Sequence, residues 1–298
     1  MIMKLRGSAL VTAAVLLVLA VAGCGQGSAR PASRAGQSPA RGGLAARPGA
    51  GQIYCPPPVQ PGVAIYDPSL MPAAPAWQQV AGRTVILDAG HGGQDEGTSH
   101  FGQREKDITL DLALRTAGLL RARGCNVVLT RTSDVFVPLP ERSAIANRNP
   151  NATFVSIHVN AVSGKPEVSG IETFVLSNSV TDSERAEAAS ARFRATGGDS
   201  VQSKQALATL ATRSRAQGPA LANSLQRSLV SRLGDSDRGV KSKNLAVLRE
   251  TYFGPAALVE VGFLSNPRTA ARMREDEWRR RTADALCEGI CGFLQQPQ

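Results

Sequence analysis

Thr84-Val-Ile-Leu-Asp88-Ala-Gly-His91-Gly-Gly93 is the stretch whose reading decides the fold. A short apolar run stopped by a glycine loop is a buried strand, here Thr84–Asp88. A histidine just past its carboxyl end stands where open α/β sheets bind ligands. Downstream, the apolar spacing of Ile108, Leu112 and Leu119 predicts a helix over Asp107–Arg123, closed by Gly124. Cys125–Thr130 reads as a second strand, and Pro140–Arg148 as a helix with proline in its first turn. Thr153–His158 and Gly170–Leu176 read as further strands, Leu245–Leu248 as a short one and Ala256–Val261 as a buried one. Helices are predicted over Pro219–Leu233 and Arg268–Leu294. Strands alternating with helices imply one α/β domain whose sheet is covered on both faces.

The chain has three histidines, His91, His100 and His158, and two of them fall at predicted strand ends. Glu260 sits inside Ala-Leu-Val-Glu-Val-Gly near the end of the last strand, and Glu105 opens the first helix, which returns from the glycine loop holding His91. A lone histidine ending a strand is more often a hydrogen-bonded structural residue, and a glutamate in a first helical turn is favoured by the helix dipole. Glu260 is harder to explain that way, because an acid within a Val/Leu/Ala strand needs a partner, a metal or a place on the rim. Together, two imidazoles, one carboxylate ligand and one spare carboxylate form the donor set of a catalytic zinc site with an open water position.

Composition is ordinary for a globular protein and argues against a nucleic-acid partner. Of 298 residues, 42% are hydrophobic, 4% aromatic and 19% charged, which excludes collagen-like, coiled-coil and multi-pass membrane chains. The formal charge of +10 is unevenly spread: residues 1–50 hold six of the 34 bases and no acid, leaving 28 bases against 24 acids beyond them. A body of +4 with few aromatics to stack on bases is a poor nucleic-acid binder.

The first 23 residues read as an export signal: basic Met1–Arg6, then apolar Leu10–Ala22, too short for a span of about 20 residues. Val21-Ala22-Gly23-Cys24 resembles the lipobox of bacterial lipoproteins, so Cys24 is the expected lipidation site and a membrane anchor. Gly25 is not the aspartate that would resemble an inner-membrane retention signal, which favours an outer membrane where one exists. Residues 24–51, poor in large apolar side chains, are expected to be a disordered tether spanning roughly 25–30 Å. Residues 52–82 form a proline-rich lead-in without an assigned role. Export permits disulfides among Cys55, Cys125, Cys287 and Cys291, but the i, i+4 pair Cys287/Cys291 should not bond while helical.

Five motifs in order now carry a resemblance. Asp88-Ala-Gly-His91-Gly-Gly, Glu105-Lys-Asp-Ile, Ser156-Ile-His158-Val-Asn160-Ala, Gly170-Ile-Glu-Thr-Phe and Val259-Glu260-Val-Gly-Phe-Leu-Ser-Asn266-Pro resemble the zinc-dependent N-acetylmuramoyl-L-alanine amidases of the type 3 family. The resemblance runs from Thr84 to Phe293 and implies a single domain, residues 83–294, with a mixed, mostly parallel six-stranded sheet and helices on both faces. It implies one Zn2+ held by His91, Glu105 and His158, with Glu260 as the catalytic glutamate. It further implies cleavage of the amide between N-acetylmuramic acid and L-alanine, releasing peptidoglycan stem peptides during wall remodelling or daughter-cell separation. Glu96 stands where many members have proline, which bears on the shape of the glycine loop.

Asn160, Arg131 and Arg142 are candidate substrate contacts. Residues 177–218 lack a strand pattern and carry alanine-rich helical composition on both sides of Gly197-Gly198. In position they resemble the inserted helix that covers the zinc cleft in some cell-division members, so two readings stand side by side: a lid released by an activator protein, and a mobile helical excursion without effect on access to zinc. Two other readings compete: a zinc peptidase acting on stem peptides, although the common His-Glu-x-x-His helix is absent, and a non-catalytic wall-binding lipoprotein. Partial loss of the His91–Glu105–His158–Glu260 set would favour the binding protein, and all four are present.

Overall fold

The computed structural model describes residues 80–177, 179–195 and 201–296. The export signal, Cys24, the tether, Cys55 and nearly all of the proline-rich lead-in lie outside them. The described chain runs β1 (Thr84–Ala89), β2 (Ser99–His100), β3 (Gln103–Arg104), α1 (Glu105–Ala122), β4 (Asn126–Leu129) and α2 (Leu139–Asn147). It continues β5 (Thr153–Asn160), β6 (Ile171–Leu176), α3 (Asp182–Ala195), α4 (Val201–Leu233) and β7 (Asp237–Lys243). It closes with α5 (Ala246–Arg249), β8 (Ala256–Phe263), α6 (Pro267–Met273) and α7 (Asp276–Leu294).

Six strands form one sheet in the order β4-β1-β5-β8-β6-β7, and β2 and β3 pair as a small hairpin. The first four are parallel to one another; β6 runs antiparallel to β8, and β7 is parallel to β6. This is the mixed, mostly parallel sheet expected. Side chains alternate across it. One face carries Val85, Leu87, Val155, Ile157, Ala257 and Val259 into the main core with residues of α1, α4 and α7. The other carries Ile86, Phe154, Phe174 and Leu258 into a smaller core under Val247 and Leu248 of α5 and Ala146 of α2. Two-residue steps along those same strands bring Asp88, Ser156, His158, Asn160, Glu172 and Glu260 to the second face, beyond the small core.

Three elements differ from expectation, the first being the closing helix over Arg268–Leu294, which is two, α6 and α7, separated at Arg274 and Glu275. The Leu245–Leu248 run is not a strand, and α5 occupies it; a four-residue apolar run carries no period that separates the two. The sixth strand is instead β7, Asp-Arg-Gly-Val-Lys-Ser-Lys, whose polar sequence suits the exposed edge of a sheet. The helix expected from Pro219 begins earlier, at Val201, with Pro219 inside it. Proline costs a helix interior about 3 kcal/mol. Fully buried Leu221, Leu225 and Leu229 offset it, each worth up to about 1.5–3 kcal/mol.

The described parts of the 177–218 insertion lie mostly in α3 and α4. Ala188 and Ala189 of α3 and Leu207, Leu210 and Ala211 of α4 pack on Tyr252 and Phe253, which precede β8. Arg185 donates to the carbonyls of Arg249 and Thr251. Because β6 is antiparallel to β8, the chain leaves β6 at the amino end of β8, four strand steps or about 13 Å from Glu260. Cys125, Cys287 and Cys291 are buried free thiols, and Cys287 and Cys291 remain unbonded within α7 as their helical spacing requires.

Candidate active site

β1 ends on Ala89, and the chain then turns sharply across the end of β5. Gly90 makes this approach possible: a Cβ there would lie 2.5 Å from the His158 ring. His91 follows with φ 60°, in the left-handed region that a side-chain-bearing residue occupies at a cost. Its Nδ1 lies 2.9 Å from Asp95 Oδ2, and Asp95 Oδ1 accepts from Gly97 N at 3.1 Å. The pairing orients the ring with Nε2 toward Glu105, as a carboxylate behind a metal-binding histidine does. Gly97, at φ 66°, leaves room for both partners, since a Cβ would fall 2.5 Å from Glu105 Oε2 and 2.6 Å from the His91 ring.

Glu105, the first residue of α1, is buried and fully engaged. Oε1 accepts from Val159 N at 2.9 Å and lies 2.9 Å from His158 Nδ1. Oε2 accepts from Thr98 N at 2.9 Å and lies 3.2 Å from His91 Nε2. Burial pushes its carboxyl up, but the two imidazoles outweigh burial and hold it far below the usual carboxylate range. Burial likewise lowers both histidines while Glu105 raises them, and the net direction is up. One donor atom from each of His91, Glu105 and His158 lies within 4.8 Å of the others, and the imidazole rings are 5.0 Å apart, edge to face. The structure thus brings together the three residues expected as metal ligands.

Glu260 lies beside them. In the register of β5 and β8 it is directly opposite His158, and in that of β8 and β6 directly opposite Glu172. Its Oε2 is buried without a hydrogen-bond partner among the described residues. Burial, with the charges of Glu105 and Glu172, pushes its pKa up to about 7, against the opposing pull of the imidazoles. A buried carboxylate oxygen without a partner, facing a His-Glu-His set, fits a site completed by a cation and water.

The two arginines expected to touch substrate do something else. Arg131 and Arg142 are each only 3% exposed and point into the protein. Arg142 Nη1 pairs with Asp88 Oδ1 at 2.7 Å and donates to Ala89 O at 2.6 Å, while Nη2 donates to His91 O at 2.7 Å. Arg131 donates to the carbonyls of Ala89, Gly90 and Lys106 at 3.0, 2.9 and 2.7 Å. They hold the His91 loop from behind, where the sharp turn turns its carbonyls away from the sheet ladder. Asp88 anchors the clamp, accepting also from Thr130 Oγ1 and Ser156 Oγ, both at 2.7 Å. Burial pushes its carboxyl up, yet Arg142 and the two hydroxyls hold it below the ordinary range.

Asn160 remains on the site face, its Nδ2 donating to Glu172 Oε1 at 2.8 Å. Sequence reasoning missed Asp88, Asp95 and Glu172 as parts of the site. Glu172 carried the same signal as Glu260, an acid inside a buried strand; Asp95 carried its i+4 spacing from His91 within the loop.

Residues 85–292 match the family model described as N-acetylmuramoyl-L-alanine amidase. The chain is 33% identical over 228 residues to the uncharacterized protein YqiI of Bacillus subtilis, covering 76% of this chain and 93% of that one. The fold matches the amidase AmiC2 of Nostoc punctiforme with TM-score 0.56 and 28% identity, over 72% of this chain and 98% of that one. It also matches the CwlD amidase of Clostridioides difficile, solved in complex with the GerS lipoprotein, with TM-score 0.56 and 25% identity, over 71% and 98% of the two chains. A match that runs from β1 into α7 and takes in His91, Glu105, His158 and Glu260 places the chain in the N-acetylmuramoyl-L-alanine amidase family, as a peptidoglycan amidase.

Proposed function

We propose that this protein is a zinc amidohydrolase that cuts the bond between N-acetylmuramic acid and L-alanine and releases stem peptides, with one Zn2+ held by His91, Glu105 and His158. The observation that carries the reading is the buried, unpartnered Oε2 of Glu260, one strand from His158 and on the same face as the ligand set. Bound zinc supplies Lewis acidity, polarising the scissile carbonyl and acidifying water. Glu260 then takes the proton of the attacking water at its free oxygen and delivers it to the departing amide nitrogen. Its raised pKa suits both halves of that task, since the group accepts and returns a proton near neutrality. Glu105 stays ionised throughout, which keeps its carboxylate available as a ligand for a cation shared with the two imidazoles.

Digestion of purified sacculi with metal-loaded protein tests the activity. Intact stem peptides bearing a free alanine amine are the expected product, whereas shortened peptides would point to a peptidase. A double His91→Ala/His158→Ala variant is expected to lose stoichiometric zinc by elemental analysis; full occupancy would overturn the ligand assignment. Gly90→Ala should push the His158 ring aside and weaken zinc by about 10–100-fold, read by competition with a chelator.

Export, with lipid on Cys24 and a location in the periplasm or at the cell wall, completes the proposal and is supported by the lipobox-like Val21-Ala22-Gly23-Cys24. No described helix is long and apolar enough to cross a membrane. Mass spectrometry of the native amino terminus decides the matter, and an unmodified terminus downstream of Cys24 excludes lipidation. A protein partner controlling this enzyme belongs to the same reading, supported by the complex of CwlD with GerS.

A further inference from the structure

One polar row crosses the sheet on the site face. His158 on β5 faces Glu260 on β8, and Glu260 faces Glu172 on β6. The row ends on β7, where Arg238 Nε donates to Glu172 Oε2 at 3.0 Å and Lys241 Nζ pairs with the same oxygen. Two cations therefore share one carboxylate, and among the described residues neither makes another ion pair. Glu172 is buried, while the Arg238 and Lys241 side chains are 36% and 41% exposed. Two cations thus meet a single partner carboxylate, and both reach solvent two strands across the sheet from the catalytic glutamate.

Arg238 is also held in place. Its guanidinium lies over the Phe263 ring, 4.9 Å from the centroid, and its stem packs against Gly170, whose Cβ would come within 3.0 Å of it. A fixed fork on an aromatic face loses little freedom when it binds a planar anion. Strands are spaced about 4.8 Å apart, so β7 lies about 10 Å from Glu260 across the sheet. An extended peptide covers that distance in about three residues.

We propose that Arg238 and Lys241 form a carboxylate subsite that binds the stem peptide two or three residues beyond the scissile amide, with Glu172 positioning both cations. This rests on the amidase reading of the Glu260 site and adds which side of the substrate lies toward β7. The muramyl side offers acetamido and hydroxyl groups and its own carboxyl is consumed in the amide; the peptide carries free carboxylates. Charge complementarity therefore sets the peptide, not the glycan, along the row from Glu260 to the sheet edge.

The test compares two N-acetylmuramoyl peptides of equal length, one with free carboxylates and one with each carboxylate converted to a carboxamide. The metal-loaded parent should cleave the free acid with kcat/KM about tenfold to a hundredfold higher, through KM. Lys241→Gln should shrink that ratio toward one and Lys241→Arg should restore it. Lys241→Gln leaves Arg238 on Glu172, so the buried carboxylate keeps a partner, and a melting curve checks the fold. Binding of the free stem peptide, as acid and as carboxamide, is measured in parallel by calorimetry at low and high salt; tighter, salt-sensitive binding of the acid is expected. Equal binding of acid and carboxamide, or an acid preference that survives in both Lys241→Gln and Arg238→Gln, overturns the subsite. Failure of the parent to cleave either peptide would instead count against the amidase reading, and the binding measurement still decides the subsite.

Discussion

Glu260→Gln is expected to fold, to bind zinc as the parent does and to lose about 10²–10⁴-fold in turnover. Glutamine keeps the shape of the side chain on β8 and removes only the capacity to take up and return a proton. Three features make the loss specific. The group stands directly opposite His158, its Oε2 has no partner among the described residues, and burial with two neighbouring acids brings its pKa up to about 7. Metal content separates this role from ligation, since His91, Glu105 and His158 are untouched. Sacculus digestion by Glu260→Gln at the parental rate, with normal zinc, would show that the proton passes elsewhere.

The second large effect lies behind the loop. Arg142→Met should destabilise the fold by about 3–5 kcal/mol, the range for breaking one side of a buried pair. It strands Asp88, which is 1% exposed, and frees the carbonyls of Ala89 and His91. Asp88→Asn tests the other side through pH. Asp88 has a folded pKa below its unfolded value of 3.8, so its stabilisation is complete above that value and fades as pH falls toward the lower one. Denaturation curves should therefore show the parent losing stability below about pH 4 in a step that Asp88→Asn lacks. At pH 7 the variant should already be the less stable of the two. Equal stability of parent and Arg142→Met by urea titration would mean that the clamp does not hold the loop.

The two arginines show where a sequence reading stops. Arg131 lies just beyond β4 and Arg142 in α2, 42 and 51 residues from the loop residues they contact, and nothing local in the chain says which way either points. Their direction depends on whether the loop needs donors. Its carbonyls at residues 89, 90 and 91 leave the sheet ladder, and only the folded turn shows that two guanidinium groups satisfy them. Lys241 and Arg238 were invisible for the opposite reason. An edge strand of charged residues carries no hydrophobic period, so β7 read as connection.

By itself the sequence determined the α/β alternation, the glycine loop after β1 and the set His91, Glu105, His158 and Glu260. Local patterns suffice for these, because a buried strand must be apolar, so a polar residue within or just beyond it stands out, and Glu105 is singled out by opening the helix that returns from the glycine loop. Tertiary structure alone decided the direction of β6. Residues Ile171–Leu176 have the same two-residue period whether they run with β8 or against it. Running against it, β6 places Glu172 opposite Glu260 and sends the following helices to the amino end of β8, on Tyr252 and Phe253. Strand direction is set by which pairing buries Ile171 and Val175 against α4 while leaving Glu172 within reach of Asn160, Arg238 and Lys241. That choice involves contacts between residues 12 to 69 positions apart, and no local pattern in the chain encodes it.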